Sequence, residues 1–343
     1  MKRLLALALL LTGPAGAESF VLSTDSRLEL LGAVQLLSPG KPPKGFSAGK
    51  NAATLELERR FAPWRTHPGV AANGALSREL DYRDRVELVG RLSPAFEPQA
   101  RYFLPSRSIA AAGGRQRVDD WLAGLRAFAE EAGFEAYRAE AAKAEAAALE
   151  PARLRLEAGA FLVKIESYTG VAFQGSYAVT ATAFLDKEVM LNDVWPREGG
   201  GYELRTVFGW DRSLALDDYF WKERLPAVLW HQYAHGLLDP LADLQPERLA
   251  RLAEANKRVS WNSDWTASFK ENIVRAVYIR LVTRELGPEA GARLREDAQE
   301  EANFPKTDEL LARLQEYERS RDKHPTLAVF YPRLLDVFEG GAR

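Results

Sequence analysis

The pentapeptide His231-Gln232-Tyr233-Ala234-His235 determines how the rest of this sequence is interpreted. Side chains four residues apart lie on the same face of an α-helix, about one turn apart. Two imidazoles at that spacing can bind a single metal ion together. With four histidines in the chain, such a pair arises by accident in roughly 3 of 100 sequences. The spacing therefore predicts a helix with two metal ligands, and the alternative is a pair of buried core histidines.

The residue after the first histidine decides what such a metal site can do. Zinc peptidases with the pattern H-E-x-x-H carry a glutamate there, and it acts as the general base that takes a proton from the attacking water. This chain has the neutral amide of Gln232 at that position. An amide cannot accept a proton, so the contribution of a general base, about 10²–10⁴ in rate, is expected to be lost.

The N-terminus has the pattern of a secretory signal peptide. Lys2 and Arg3 precede the apolar run Leu4–Leu11, and small residues follow at Ala15-Gly16-Ala17. This arrangement predicts a signal peptide over residues 1–17 and a periplasmic or secreted protein. No later stretch has the ~20 consecutive apolar residues of a membrane helix, so stable membrane insertion is not expected.

The composition is typical of a globular protein. The chain has 343 residues, of which 46% are hydrophobic and 27% are charged, and its formal net charge is −2. A chain this close to neutral gives no electrostatic reason to expect nucleic acid as a partner. Cysteine is absent, so stability must come from a hydrophobic core and not from disulfides.

The first half of the mature chain is expected to be mainly helical. Apolar residues at helical spacing predict helices over Arg27–Leu37 and Ala53–Trp64, and a turn follows at His67-Pro68-Gly69. Asp119–Leu156 is rich in alanine, glutamate, arginine and leucine, which are strong helix formers. Residues 18–155 are therefore assigned to a helical N-terminal subdomain.

The character of the sequence then changes. Residue types that favour strands, with partial alternation, predict three strands over Phe161–Tyr168, Phe173–Phe184 and Gly201–Phe208. These are expected to form a small antiparallel sheet. Leu225–Leu238, which contains both histidines, is predicted to be a helix that ends around Asp239-Pro240.

Further helices are predicted up to the C-terminus. They cover Pro246–Val259, Asp264–Leu286, Thr307–Arg321 and Leu327–Phe338. The predicted fold class is α+β and mostly helical, with the small antiparallel sheet packed on the metal-site helices. Residues 156–343 form the metal-site subdomain in this prediction.

A third metal ligand is expected on one of these later helices, since a carboxylate is a common partner of two histidines in zinc sites. Glu271 lies 36 residues after His235, in a segment that becomes apolar, where a lone acid is unfavourable unless it is paired. The alternative is an ion pair between Glu271 and Arg275, worth only a few tenths of a kcal/mol on a helix. The two roles are compatible.

Four segments of the chain resemble an exported bacterial family that is described only as a domain of unknown function. In chain order they are Arg27–Leu31, Phe61–Pro68, Trp230–Leu241 and Glu271–Ala276. Members of that family usually read H-E-F-S-H, followed by a short apolar tail ending in Asn-Pro and by a later Glu-x-x-x-Arg-Ala helix. The resemblance implies a zincin-like fold, peptidase activity, and a zinc ion bound by His231, His235 and Glu271.

Three further residues could contribute to such a site. Tyr278 and Tyr331 could donate a hydrogen bond to an oxyanion, as tyrosines do in related zinc enzymes, although buried packing is the default for both. Asp239 could accept the second N–H of a ligand histidine. Aspartate before proline at a helix end is common for turn formation alone, and the turn is the favoured interpretation.

Two functions follow from this sequence. The first is an exported, zincin-like zinc metallopeptidase homologue that is catalytically impaired by Gln232. The second is a non-catalytic pseudoenzyme or binding protein of the cell envelope that uses the same cleft. In both cases the expected partner is a peptide or an envelope protein. Rescue of catalysis would need another carboxylate, and the nearest in sequence, each expected to be solvated or capping, are Glu223, Asp217 and Asp218.

Overall fold

The structure, a computed structural model, combines many helices with one small sheet. It describes residues 21–43, 46–47, 51–97, 106–173, 175–186, 190–196, 202–210, 220–255, 265–300 and 304–339. The predicted signal peptide, together with Asp217 and Asp218, lies outside the described residues. Within the part of the chain that is described, no helix is both long enough and apolar enough to cross a lipid bilayer.

The chain divides into two compact units. One takes its residues from Phe20–Leu154 and Tyr177–Leu216, and the other takes its residues from Arg155–Ser176 and Asp217–Arg343. The two units are called the sheet unit and the histidine unit below.

The sheet unit begins with a short strand and a series of helices. They are β1 (Val21–Ser23), α1 (Ser26–Leu37), α2 (Ala52–Phe61), α3 (Pro68–Leu76), α4 (Tyr82–Gly90), α5 (Ser106–Ala111), α6 (Arg115–Glu131) and α7 (Phe134–Gly159), the last of which contains the boundary between the units. α1 begins where predicted because the Asp25 side chain accepts a hydrogen bond from the N–H of Arg27. α3 begins at the predicted turn, because Pro68 suits a first helical turn and His67 accepts a hydrogen bond from the N–H of Gly69.

The sheet of this unit is mixed. After β1 it contains β2 (Ser176–Thr182), β3 (Met190–Pro196) and β4 (Tyr202–Gly209), in the order β1-β2-β4-β3. β3 and β4 are antiparallel, but β1 runs parallel to β2, with Val21 opposite Ala178. The prediction of an antiparallel sheet is therefore wrong at this edge, because the parallel partner comes from a distant part of the chain that local patterns do not identify.

The segment predicted as the first strand, Phe161–Tyr168, is a helix, α8 (Phe161–Thr169). Its buried residues recur three and four positions apart, which is helical spacing, and they are Phe161, Leu162, Ile165, Tyr168 and Thr169. The β-branched and aromatic residue types suggested a strand, but their burial follows a helix. Gly170 ends α8 in the left-handed conformation, at a φ of 66°.

The regular secondary structure of the histidine unit is helical among its described residues, apart from Ser176 at the start of β2. After α8 come a short π-helix (Phe220–Arg224), α9 (Leu225–Asp243), α10 (Pro246–Ala255), α11 (Trp265–Glu285), α12 (Pro288–Glu300), α13 (Thr307–Arg319) and α14 (Leu327–Glu339). α9 continues through Pro240, so its predicted end was wrong. Proline removes one backbone hydrogen bond, and continued burial of the leucines on either side, Leu237, Leu238 and Leu241, keeps the helix intact.

The mostly helical α+β class is thus confirmed, with a small sheet that is mixed rather than antiparallel. The sheet and the histidine helix belong to different units. The predicted packing of the sheet on the metal-site helices therefore stays a prediction, as does the zincin-like fold.

A buried ionic cluster lies inside the sheet unit. Arg138 is 7% exposed and donates hydrogen bonds of 2.9 and 2.7 Å to the two oxygens of Glu145, which is 3% exposed. Arg138 also donates to Thr24 at 3.0 Å, and Thr24 donates to Glu145 at 2.8 Å. A second buried carboxylate, that of Glu29, lies 3.8 Å from Arg138. The charges of this cluster are therefore removed from water, and Arg138 compensates the carboxylates within the protein.

We expect Glu145→Ala to lower the free energy of unfolding by about 3–5 kcal/mol, because the buried guanidinium of Arg138 would lose both of its hydrogen bonds to a carboxylate and would keep only the Glu29 carboxylate, at 3.8 Å. Glu140→Ala on the same helix is the matched control, since Glu140 pairs with Arg60 at 2.8 Å in an exposed position. The control should cost about 1 kcal/mol or less. Urea unfolding followed by circular dichroism measures both, and equal losses in the two variants would contradict this account.

Candidate metal centre

The two histidines of the pentapeptide lie in the interior of α9. Their helix is held by its buried face, which contains Leu229, Trp230, Tyr233 and Leu237. The indole N–H of Trp230 donates a hydrogen bond of 2.9 Å to the carbonyl of Phe161 at the start of α8. The histidines therefore sit on a part of the helix that packing fixes, away from its ends.

Glu271 lies in the first half of α11, which packs against α9. Residues around it are buried, including Phe269, Ile273 and Val274. The side chain of Glu271 is 22% exposed and points toward both imidazoles. The helix that was expected to supply a carboxylate therefore brings it to the histidine pair.

The three side chains converge on one another. Nε2 of His231 lies 3.2 Å from Nε2 of His235. Oε2 of Glu271 lies 3.0 Å from Nε2 of His235, and Oε1 lies 3.4 Å from Nε2 of His231. One candidate ligand atom from each residue falls within 4.8 Å of the others, so the group could hold a metal ion.

Asp239 contacts the far side of His235. Both of its carboxylate oxygens lie 3.3 Å from Nδ1 of the imidazole. An acceptor at Nδ1 favours the tautomer with the proton on that nitrogen, which leaves Nε2 as the ligand atom. The interpretation of Asp239 as a turn residue was therefore wrong: it lies within α9, one turn after His235, and on the same face.

Arg275 contacts Glu271 one turn further along α11. Its Nε donates a hydrogen bond of 2.8 Å to Oε1 of Glu271, so the predicted ion pair is present together with the histidine contacts. The guanidinium carbon lies 3.8 Å from the centroid of the Phe304 ring. Phe304 is in the turn that begins α13, where its carbonyl accepts hydrogen bonds from the N–H and hydroxyl of Thr307.

These contacts set the protonation of the group. Burial favours the neutral form of His231 and lowers its pKa. Burial also acts against charge on His235, but hydrogen bonds with Asp239 and Glu271 outweigh it and raise the pKa to about 9. Burial would raise the pKa of Glu271, yet the two imidazoles and Arg275 hold it well below its usual range. Glu271 is therefore a carboxylate throughout the physiological range of pH.

The two candidate tyrosines, Tyr278 and Tyr331, have different surroundings. The ring of Tyr278, which is buried, lies 5.0 Å from the ring of His231, so Tyr278 is at the edge of the group. Tyr331 is buried in α14, and burial together with the Asp239 carboxylate raises its pKa. Among the described residues, no hydrogen bond or ring contact joins Tyr331 to the three candidate ligands. Its hydroxyl stays protonated at neutral pH.

The remaining candidates concern the missing base. Gln232 is half-buried and follows His231 in α9, and its predicted orientation toward a metal stays a prediction. Glu223 lies in the π-helix before α9, where it forms an ion pair with Arg293. That pairing favours the capping or solvated role over the role of a replacement base.

Comparison with known proteins identifies a family but no function. A family model described as a domain of unknown function, DUF4932, matches residues 105–337, which include all three candidate ligands. No curated protein and no solved structure shows significant similarity to this chain. Because the matched segment covers more than half of the chain, this protein belongs to the DUF4932 family.

Proposed function

We propose that this protein is an exported zinc-binding member of its family, related to zincin metallopeptidases and impaired as a peptidase by Gln232. The observation that carries the proposal is the convergence of His231, His235 and Glu271. The alternative is a non-catalytic binding protein that uses the same site for a peptide or an envelope protein. Export rests on the pattern of residues 1–17.

The donor set and its spacing both suit zinc. Two imidazole nitrogens and a carboxylate oxygen form one of the usual three-ligand sets of a zinc site with an open position. Zinc bonds of 2.0–2.2 Å in a tetrahedral arrangement separate the ligand atoms by about 3.3–3.6 Å. Nε2 of His231 and Nε2 of His235 lie 3.2 Å apart, and Oε2 of Glu271 lies 3.0 Å from Nε2 of His235. The 3.4 Å contact with Nε2 of His231 is made by the other oxygen, Oε1. Two of the three pairs of donor atoms therefore lie near the spacing that a zinc ion requires, and one donor atom from each residue falls within 4.8 Å of the others.

The surrounding residues would hold the ligands in place. Asp239 fixes the ring of His235 through Nδ1. Arg275 holds Oε1 of Glu271, so Oε2 is the oxygen that remains for the ion. A bound zinc ion would supply Lewis acidity toward a carbonyl group. Side-chain exposures of 17%, 25% and 22% for His231, His235 and Glu271 leave the site within reach of a ligand.

The residue that would complete a peptidase is missing. Gln232 can donate or accept a hydrogen bond, but it cannot take a proton from water. Tyr278 beside His231 could stabilise negative charge on a substrate, and this role remains with it in the proposal. The expected result is a site that binds a metal ion and a ligand with slow or absent turnover. The same absence of a base is expected for the alternative, a non-catalytic binding protein.

The first prediction concerns the metal itself. Protein purified without a histidine tag, stripped with a chelator and dialysed against zinc, should retain one zinc ion per chain. His231→Ala should abolish this binding, whereas His324→Ala, which removes a half-buried histidine elsewhere in the same unit, should not. Elemental analysis by mass spectrometry gives the stoichiometry. Equal zinc content in the His231→Ala variant and the wild type would rule out the site.

A second prediction concerns Asp239. Removal of its carboxylate in Asp239→Ala should weaken zinc binding by about 10–100-fold, because His235 loses the contact that orients its ring. Asp243→Ala is the matched control, since Asp243 lies one turn further along α9 and pairs with Lys270 at 2.7 Å. Competition with a chromogenic chelator measures the affinities. Unchanged affinity in Asp239→Ala would mean that the carboxylate does not support the ligand.

A third prediction concerns Gln232. Gln232→Glu should switch on or raise zinc-dependent hydrolysis of a broad peptide library, by up to about 10²–10⁴-fold. The wild type should show little turnover. Chelator-sensitive hydrolysis by the wild type that persists in Gln232→Ala would show that another group acts as the base. A Gln232→Glu variant that binds zinc and stays inert would favour the binding-protein alternative.

A further inference from the structure

The charged groups around the candidate metal ligands determine which ligands a bound ion could attract. Asp239 and Glu271 each contribute one negative charge, and Arg275 contributes one positive charge. The next pair along the two helices, Asp243 and Lys270, neutralises itself at 2.7 Å. With both imidazoles neutral, as metal binding requires, the surroundings carry a net charge of −1.

Binding of a divalent ion changes the net charge of the site from negative to positive. The net charge becomes +1, whereas a glutamate at position 232 would make it zero. Gln232 therefore leaves a positive charge uncompensated in a site that is only partly exposed, where electrostatic interactions are stronger than in water. A negatively charged ligand is the natural complement.

Gln232 also changes which groups the site can receive. A glutamate repels an incoming carboxylate, but the amide of glutamine can donate a hydrogen bond to one. Arg275 remains on Glu271 and against the Phe304 ring. Arg275 would therefore attract an anionic ligand as a nearby positive charge, without contacting it directly.

We infer that the metal-loaded site binds a peptide carboxylate, and that Gln232 is the residue that selects it. This inference rests on the proposed zinc site and on the predicted orientation of Gln232 toward it. In this inference Gln232 has two effects: it prevents hydrolysis, and it favours retention of an anionic ligand. The carboxylate comes from a peptide C-terminus or from an acidic side chain, which share the same chemistry.

The test compares three short N-acetylated peptides on zinc-loaded protein by isothermal titration calorimetry. One has a free C-terminus, one has a C-terminal amide, and one has the amide together with a single internal glutamate. We expect a carboxylate-bearing peptide to bind at least about tenfold more tightly than the neutral amide. Preference for the first peptide identifies a C-terminus as the source, and preference for the third identifies a side chain.

Two variants test the role of Gln232. In Gln232→Glu the preference for a carboxylate should largely disappear, although zinc is still bound. Gln315→Glu adds the same charge at an exposed position of α13 in the same unit and should keep the preference. With cobalt in place of zinc, the carboxylate peptide should also change the visible absorption spectrum, which reports on the ligands of the ion.

The results separate this inference from the metal proposal. Failure of the wild type to hold zinc contradicts the proposed function. Zinc binding without any preference for a carboxylate, or an equal preference in the metal-free protein, overturns the inference alone. A preference that persists in Gln232→Glu overturns the role of Gln232.

Discussion

The candidate site depends on the contacts that the Glu271 carboxylate makes with His231, His235 and Arg275. This carboxylate joins α9 to α11, because its two oxygens face imidazoles of α9 at 3.0 and 3.4 Å while Arg275 of α11 holds one of them at 2.8 Å. A partly buried negative charge is stable only when donors and positive charges surround it. His231, His235 and Arg275 meet this requirement for Glu271. Asp239 contacts the far side of His235.

Metal binding and proton transfer are separate properties in this type of site. The candidate ligands come from positions 231, 235 and 271, and the contacts of His235 with Asp239 and of Glu271 with Arg275 are present. The base would come from position 232 alone, and it is a glutamine. One side chain could therefore remove hydrolysis without disturbing the candidate ligands, and the proposed function rests on this separation.

The parts of the site that sequence could predict are those encoded locally. The histidine pair follows from the helical repeat, and Glu271 stands out as an acid among apolar residues. Asp239 was misassigned because the proline after it signals a turn, although burial carries α9 past it. The stacking of Arg275 on Phe304 has no sequence signal, since it depends on tertiary packing. The same holds for the parallel pairing of β1, and α8 was missed because its residue types are common in strands.

The position of Phe304 has a consequence for the motions of the site. Its ring covers the guanidinium that orients Glu271, and its carbonyl closes the first turn of α13 through Thr307. Local opening of that turn would move the ring and release Arg275 from one side. Such openings at helix ends occur far more often than global unfolding. The time for which the Glu271 carboxylate stays oriented is therefore coupled to fraying at the beginning of α13, a helix that contributes none of the three candidate ligands.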